Sequence, residues 1–428
     1  MTTAVRRAGA FAAVASLALV APLVVSIEEP ALATVAAIGP FLLVAVFALS
    51  VNEEHALFDL FARPGDRRDG TLYSLAGFSL AAAGMAILSV GFGMPAHVYV
   101  GTIVLLALGN LAGQFTRTVS MGAVVVTAGF VAGGVIAATA AQLFTVELSG
   151  ASVSLPRIVF LAASGGLLAA LLRELLFERD HALVMLCVGL VLWLFAAIPV
   201  EITATRIGVA LTVTVLLGYA SYALETASLA GMLTGVLLSL LTIVLGDYGW
   251  FLMLVAFFGI GGLSSKYRYE IKRERGIAEE NAASSHEFVS GLGLSEALFF
   301  YAFAGAVGAA LADTLSSEIG GFYDNPRLIT TLEVVDPGTD GAVTWQGELA
   351  GFAGALTVAG IAFVGFDAVG ALGALCVVAA SAVGMTVDSL LGATIEGRVT
   401  GNQGVNFLAT LAAAVMGIAL AASVGLSI

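Results

Sequence analysis

Three groups of polar residues follow apolar stretches in the C-terminal half of the chain, and each could hold phosphate or a metal ion. The first begins at Asp313, with Ser317 four residues later and Glu318 beside it, after the apolar run 302–311. Asp313 and Ser317 share a helix face, and an ionisable group at membrane depth is costly enough to be a functional candidate. The same residues would also fit a helix end that emerges into water, and the sequence leaves both interpretations open.

The second group is the polar segment 325–344, which combines a cation with a glycine-containing turn. Arg327 carries a forked donor suited to phosphate. Gly338 and Gly341 flank Thr339 and let the backbone approach a ligand closely. Successive amides in such a turn can form an anion-binding nest, although Pro-Gly-Thr-Asp-Gly is also typical of an ordinary tight turn.

The third group places Asp388, Gly392 and Glu396 four residues apart, so that they form one stripe along a helix. Because an unpaired buried carboxylate must be protonated or matched to a cation, this stripe favours a metal ion or a basic partner over simple packing. Asn402 and Asn406 follow where the last apolar stretch begins, and they add amide ligands or helix caps.

These groups stand in a chain that is too apolar for a water-soluble fold. Of its 428 residues, 59% are hydrophobic and 11% are charged, and the mean hydropathy is +1.02, whereas soluble domains carry about 25% charged residues. Every span must be a helix, because an open sheet cannot satisfy its backbone in lipid. We therefore predict an all-α, polytopic transmembrane helical bundle of about 12–14 spans in the cell membrane. The apolar segments lie near residues 8–27, 31–51, 71–92, 98–113, 119–141, 157–177, 182–199, 206–224, 228–246, 248–263, 294–312, 346–366, 368–393 and 403–426.

The charge balance and the cysteines exclude other classes of protein. The net charge is −13, so the chain offers no basic face to the phosphate backbone of a nucleic acid polymer. Cys187 and Cys376 lie within apolar runs, which predicts core residues and neither a disulfide framework nor a metal site. The composition changes near residue 200, which predicts an N-terminal helical bundle of unknown role over 1–200 and a function-bearing transmembrane domain over 201–428.

Five motifs in the second half carry a resemblance to a known family. Taken in order, they resemble a membrane protein family long known only as a domain of unknown function, which includes plant phytyl-phosphate kinase. The resemblance covers about residues 206–426, with two departures: Glu396 stands where relatives commonly have Gln, and residues 281–293 lack a clear Asn-Gly element. The motifs are Asp313-Thr-Leu-Ser-Ser-Glu318-Ile-Gly320, Pro326-Arg-Leu-Ile-Thr-Thr331, Pro337-Gly-Thr-Asp-Gly341, Asp388-Ser-Leu-Leu-Gly-Ala-Thr394 and Gly404-Val-Asn406-Phe-Leu.

The resemblance implies a CTP-dependent kinase that converts an isoprenyl monophosphate, such as phytyl or geranylgeranyl phosphate, to the diphosphate. Mg²⁺ favours one or two carboxylates plus phosphate oxygens, and Asp313, Glu318 and Asp388 are the expected catalytic and metal-binding residues. The lipid tail would lie between apolar helices in the bilayer. The residues expected to contact the lipid phosphate and the nucleotide are Arg327, Thr330, Thr331, Gly338, Thr339, Gly341, Asn402 and Asn406.

Two other classes of function fit part of the pattern. Many spans, abundant glycine and polar groups at broken helices would also describe a transporter for a small or lipid-like solute. No inverted repeat is evident between the two halves, which disfavours that alternative. A non-catalytic membrane protein that binds lipid or acts as a scaffold is the third candidate.

Lysine and arginine mark the cytoplasmic ends of membrane helices. Arg6 predicts a cytoplasmic N-terminus, on a first helix that we expect to be retained rather than cleaved as a signal peptide. Alternation of the spans then makes the basic cluster 266–275 cytoplasmic as well. If 294–312 crosses fully, the segment 313–345 falls on the opposite side, away from cytoplasmic CTP. A re-entrant segment at 278–293 or a span count wrong by one would remove this conflict, and the second is favoured.

Overall fold

The chain is almost wholly helical in the residues that the structure describes. The computed structural model describes residues 3–24, 29–176, 181–224, 228–266, 296–397 and 399–426. The helices are α1 (Thr3–Ala15), which continues through a 3₁₀ turn (Ser16–Val20) into α2 (Ala21–Val24), α3 (Pro30–Ser50), α4 (Ala56–Phe61), α5 (Pro64–Asp69), α6 (Tyr73–Gly91), α7 (Ala96–Arg117), α8 (Ala123–Ser149), α9 (Leu155–Leu175), α10 (His181–Ala197), α11 (Ala204–Ala223), α12 (Leu229–Leu245), α13 (Tyr248–Lys266), α14 (Glu296–Gly320), α15 (Trp345–Gly365), α16 (Ala371–Ile395) and α17 (Asn402–Ser423). Two short strands, β1 (Arg327–Leu328) and β2 (Ala342–Val343), pair antiparallel.

The predicted all-α polytopic membrane fold is confirmed. Eleven helical segments among the described residues are long and apolar enough to cross a membrane, and three shorter apolar helices, α10, α12 and α13, accompany them. Each apolar segment predicted from the sequence corresponds to one of these. The reason is that an apolar run of this length can satisfy its backbone in lipid only as a helix.

The described chain divides into two compact units. Unit 1 comprises Met1–Tyr222 and Met232–Leu245, and unit 2 comprises Ala223–Gly231 and Gly246–Ile428. The functional boundary expected between residues 200 and 201 stays a prediction, because packing alone does not define where a function resides.

In unit 1, α7 and α8 approach closely because small residues line their contact. A side chain at Gly133 would meet Ala112, and one at Gly134 would stand 3.0 Å from the carbonyl oxygen of Leu105. Lipid tails are as apolar as leucine, so helices in a membrane associate through close packing of small residues. The outer face of α8 is open, with Ile136 71% exposed, as a lipid-facing position requires.

Arg157 at the start of α9 closes the C-terminal end of α10. Its guanidinium donates hydrogen bonds to the carbonyl oxygens of Phe195, Ala196, Ile198 and Val200, with the bond to Ala196 at 2.9 Å. The last carbonyls of a helix have no partner within it, and an unsatisfied carbonyl in apolar surroundings is costly. Arg157 therefore stabilises the point at which α10 ends.

Replacing Arg157 with Ala is expected to destabilise unit 1, because four carbonyl groups lose a charged donor. Loss of hydrogen bonds to a charged group costs about 2–3 kcal/mol, which should lower the midpoint of thermal unfolding in detergent. Arg157→Lys keeps the charge but loses the planar guanidinium. Its unfolding midpoint should therefore fall between those of the unaltered protein and Arg157→Ala. A midpoint unchanged in Arg157→Ala would contradict this role.

Unit 2 is built around α14, which contacts the four other long helices of the unit. α16 runs parallel to α14, since Gly373 lies against Tyr301 and, further along both helices, Gly384 lies against Ala309. α15 and α17 run antiparallel to α14. The contacts that establish this direction are Gly320 with Gly347, Gly308 with Val358, Gly305 with Ala413, and Tyr301 with Gly417.

α13 also runs parallel to α14. The Trp250 ring lies 5.4 Å from the Phe300 ring, and further along both helices a side chain at Gly261 would stand 3.5 Å from Thr314 Cγ2. Lys266, the last residue of α13, therefore lies at the same end of unit 2 as the C-terminus of α14. We call this end, where α13, α14 and α16 finish and α15 and α17 begin, the polar end.

The opposite end of unit 2, which we call the aromatic end, is held by rings around Trp250. The Trp250 ring stacks on Phe299 at 5.6 Å, tilts against Phe303 at 4.7 Å and meets Phe366 edge-on at 6.1 Å. Aromatic pairs of this kind add about 0.5–1.5 kcal/mol each beyond the area they bury. The cluster joins α13, α14 and the residue that follows α15.

The parallel pair α13 and α14 bears on the conflict that the span count left open. The span count placed the segment 313–345 on the side opposite the basic cluster 266–275, because it treated 294–312 as antiparallel to the span before it. The structure instead brings the end of α13 and the start of that segment to the same end of unit 2. The re-entrant alternative at 278–293 lies outside the described residues.

Candidate functional site

α14 extends beyond the apolar run that predicted its end, so Asp313 and Glu318 lie within the helix. The helix continues to Gly320, and hydroxyls in its last turns are satisfied by its own backbone. Thr314 Oγ1 donates to the Ala310 carbonyl at 2.9 Å, and Ser317 Oγ donates to the Thr314 carbonyl at 3.1 Å. Such local bonds let polar residues remain in a helix.

Asp313 and Asp388 occupy matching positions on neighbouring helices. A side chain at Gly384 of α16 would stand 2.5 Å from Ala309 Cβ of α14. The two helices run parallel, and residues four apart share a face. Asp313 and Asp388 each follow this contact by four residues, so they lie at one level, one turn closer to the polar end. Both are half-buried.

Asn406 of α17 reaches the same level from the opposite direction. A side chain at Gly384 would stand 3.2 Å from the Ala409 carbonyl oxygen. Since α17 runs antiparallel to α14 and α16, Asn406 lies one turn from this contact toward the polar end. Two carboxylates and an amide therefore lie at the same height along three packed helices. We call this height, which Asp313, Asp388 and Asn406 share, the common level.

The glycine turn lies directly on α16, one turn beyond Asp388. Gly341 has a φ of +72°, and a side chain there would collide with the Ser389 carbonyl oxygen and the Ala393 amide nitrogen. A side chain at Gly392 would stand 3.0 Å from the Gly341 amide nitrogen. Both glycines are required by this close approach of backbone to helix, and they hold the turn at the polar end.

Thr339 belongs to the same turn, and hydrogen bonds within the segment organise it. Thr339 Oγ1 donates to the Asp336 carbonyl at 2.7 Å, and the Ala342 amide donates to the Thr339 carbonyl at 3.0 Å. Gly338, with a φ of +86°, supplies the bend. Both residues are exposed, as contact with a water-soluble ligand would require.

Arg327 is tied to the turn through the two strands. β1 pairs with β2, with Arg327 opposite Val343, and the Ile329 amide donates to the Gly341 carbonyl at 3.1 Å. The Arg327 guanidinium donates to the Leu332 carbonyl at 2.6 Å. Arg327 is exposed at the surface of this segment, so its role toward phosphate stays a prediction.

The other predicted site residues lie further from the common level. Thr330 and Thr331 are exposed in the loop after β1, and Asn402 is exposed at the start of α17. Glu318 lies in the last turn of α14, off the face that carries Asp313. Glu396 follows the last residue of α16, and its carboxylate would stand 3.5 Å from a side chain at Gly392.

The positions of the acids bear on how they could hold a metal ion. Among the described residues, no three His, Cys, Asp or Glu side chains lie close enough together to hold one metal ion. Asp313, Glu318 and Asp388 therefore do not form a three-carboxylate centre in this structure. Mg²⁺ is commonly bound by one or two carboxylates plus substrate phosphates, and Asp313 with Asp388 fits that donor set. The assignment of all three acids to the metal stays a prediction.

Glu348 is a candidate that the motifs did not identify. It lies half-buried in the first turn of α15, after the N-cap Thr344. Gly351, three residues later, lies against Met385 of α16, which precedes Asp388 by three residues. Because α15 and α16 run antiparallel, Glu348 reaches the level of Asp388. A single acid in the first turn of an otherwise apolar helix was the available signal.

The fold and the site define a class of protein: a polytopic α-helical membrane protein with acids, an amide and a glycine turn gathered at one end of its second unit. The chain belongs to the integral membrane protein family DUF92, whose sequence model matches residues 212–414. This match confirms the resemblance carried by the five motifs, all of which lie inside it. Residues 1–211 lie outside the matched region.

Three relatives align with the chain over a similar extent. An uncharacterized membrane protein of Methanocaldococcus jannaschii, MJ0933, is 33% identical over 184 residues, which is 40% of this chain and 76% of that protein. An uncharacterized membrane protein of Synechocystis, sll0875, is 31% identical over 204 residues, 42% of this chain and 78% of that protein. Protein VTE6, chloroplastic, of Arabidopsis thaliana is 28% identical over 191 residues, 40% of this chain and 57% of that protein. No solved structure matches the chain.

Proposed function

We propose that this protein is a CTP-dependent kinase that converts an isoprenyl monophosphate, such as phytyl or geranylgeranyl phosphate, to the diphosphate. The observation that carries the proposal is the common level of Asp313, Asp388 and Asn406 at the polar end of unit 2. The family to which the chain belongs includes, by the motif resemblance, plant phytyl-phosphate kinase, which supplies the reaction class.

The depth of the two aspartates suits a lipid phosphate. Asp313 and Asp388 each stand seven residues before the last residue of their helices, which is roughly 10 Å along the axis. The headgroup region of one leaflet is about 5–8 Å thick. Helix ends that project about one turn into water would place both aspartates within the headgroup region, where a lipid phosphate and a water-soluble nucleotide can meet.

In the proposed reaction, an oxygen of the lipid monophosphate attacks the γ-phosphorus of CTP. A new P–O bond forms, the bond from the γ-phosphorus to the bridging oxygen breaks, and CDP leaves with the bonding electron pair. Because both substrates are anions, the protein acts mainly by positioning them and by arranging neutralising charge. Mg²⁺, when bound, would supply that charge, and Asp313 and Asp388 would hold it, with Glu318 as the third acid of the prediction.

The glycine turn and Asn406 would position the phosphates. The turn at Gly338–Gly341 places the Gly341 backbone amide next to α16, and backbone amides bind phosphate oxygens well when they converge. The Asn406 amide adds a donor from α17. Arg327, on the strand that pairs beside the turn, would contact the phosphates of the nucleotide, since a guanidinium matches phosphate geometry.

The lipid tail has an apolar surface beside the site. Leu391 shares the face of α16 that carries Asp388, and Phe407 and Leu411 of α17 are 38% and 37% exposed. An isoprenyl chain is a pure hydrocarbon, so it would remain in the bilayer along these side chains while its phosphate reaches the polar end.

The proposal is tested with purified protein in detergent, γ-labelled CTP, phytyl phosphate and Mg²⁺. Labelled phytyl diphosphate is expected, and its formation is compared with ATP, GTP and UTP as donors and with geranylgeranyl phosphate as acceptor. Absence of transfer with every donor and both lipids would overturn the proposal. Solute flux into proteoliposomes without nucleotide would favour the transporter instead.

A further inference from the structure

The cations of unit 2 are distributed unevenly between its two ends. Seven Lys and Arg residues occur in the sequence from residue 223 to residue 428. Lys266 ends α13 at the polar end, and Arg327 lies in the polar-end segment between α14 and α15. Arg398 lies in the sequence between α16 and α17, and the others follow Lys266 within nine residues. These others are Arg268, Lys272, Arg273 and Arg275.

The aromatic end has the opposite character. The described connections there are residues 246–247 before α13, 366–370 between α15 and α16, and 424–426 after α17. They contain Asp247 and Asp367 but no Lys or Arg. Both Lys and Arg residues described in unit 2, Lys266 and Arg327, thus lie at the polar end.

We infer that the polar end of unit 2 faces the cytoplasm. Short loops rich in Lys and Arg stay on the cytoplasmic side of a membrane, and the two cations of unit 2 that the structure describes, Lys266 and Arg327, both lie at the polar end. The parallel arrangement of α13 and α14 is what makes the charges agree, because it brings Lys266 and the segment with Arg327 to one end. The span count alone had put them on opposite sides.

The orientation has a consequence that rests on the proposed function. The site at Asp313 and Asp388 would take its phosphate donor from the cytoplasm and its lipid phosphate from the cytoplasmic leaflet. The product would remain in that leaflet, where a cytoplasmic enzyme that transfers isoprenyl groups can use it. The orientation itself depends only on helix direction and charge.

Cysteine accessibility tests the orientation. In a Cys187→Ser, Cys376→Ala background, Thr339→Cys marks the polar end and Asp367→Cys marks the aromatic end, since both native side chains are exposed. Each variant is treated with a membrane-impermeant maleimide in intact cells and in inverted membrane vesicles. Glu333→Cys and Gly370→Cys repeat the two tests if either first variant fails to fold.

Thr339→Cys should be labelled in inverted vesicles and protected in intact cells, whereas Asp367→Cys should show the reverse. The reverse pattern for both would overturn the orientation, and labelling of both from one side would also overturn the division into two ends. Phosphate transfer in detergent has no sidedness, so it tests the proposed function separately. A kinase with the reverse labelling pattern would lose only this inference.

Discussion

Asp388→Asn and Asp313→Asn should each lower the rate of phosphate transfer by at least about 100-fold. The amide keeps the size of the side chain but removes the charge that would hold a divalent cation between two anionic substrates. The effect should fall mainly on kcat, measured with γ-labelled CTP and phytyl phosphate. The midpoint of thermal unfolding should stay near that of the unaltered protein, because the amide keeps the size of the side chain and can still form hydrogen bonds.

A matched control is available at the aromatic end. Asp367 is also an acid beside a membrane helix, exposed between α15 and α16, and Asp367→Asn should retain full activity. Retained activity in both Asp313→Asn and Asp388→Asn would remove the metal assignment. Equal losses in Asp367→Asn would indicate a general effect of charge rather than a site.

Gly341→Ala should reduce activity at least about tenfold while unit 2 remains folded. A non-glycine residue at its φ of +72° is strained, and the added carbon would collide with the backbone of α16 at Ser389 and Ala393. The turn must move away from α16, and the Gly341 amide then no longer lies next to the turn of α16 that follows Asp388. A raised KM for CTP, measured in the transfer assay, is the expected form of the loss.

Gly397→Ala distinguishes the effect of backbone strain at a positive φ from the effect of moving the glycine turn away from α16. Gly397 has a φ of +68° and also lies at the polar end, but a side chain there would meet nothing within 4 Å. Gly397→Ala should therefore carry a similar backbone strain and leave activity within about twofold. If both variants lose activity equally, the contact between the turn and α16 is not what matters.

The helices of this protein could be predicted from hydropathy because a membrane leaves the backbone no other regular structure. The residues at which the helices begin and end were predicted less accurately. The predicted apolar segment 294–312 ends before Asp313, whereas α14 continues to Gly320. The hydroxyls of Thr314 and Ser317 bond to carbonyls of the same helix, so a polar composition did not mean a helix end.

Helix direction could not be predicted, because hydropathy has no direction. α13 and α14 follow each other among the described helices and run parallel, whereas alternation of the predicted spans assumes that successive spans run antiparallel. The contacts of Trp250 and of Gly261 with α14 reveal the direction. The Lys and Arg residues also bear on helix direction, because they mark cytoplasmic helix ends. They could be interpreted only once it was known which helix ends lie together.

The sequence identified the candidate acids, but it could not predict which acids of different helices lie at the same height. Spacing of four residues relates Asp388 to Gly392 within one helix, but no pattern relates Asp388 to Asp313 across two helices. That relation depends on the contact between Gly384 and Ala309, which small residues permit. Glu348 was missed for the same reason, because its level depends on how α15 lies against α16.

We propose that Asp388 and Asp313 together bind one divalent cation that serves phosphate transfer. The most direct measurement is the metal dependence of Asp388→Cys in the Cys187→Ser, Cys376→Ala background. A thiolate binds soft metals and binds Mg²⁺ poorly, so activity should be lost with Mg²⁺ and partly restored with Cd²⁺, while the background protein prefers Mg²⁺. Full activity of Asp388→Cys with Mg²⁺, and the same metal preference as the background protein, would contradict the claim.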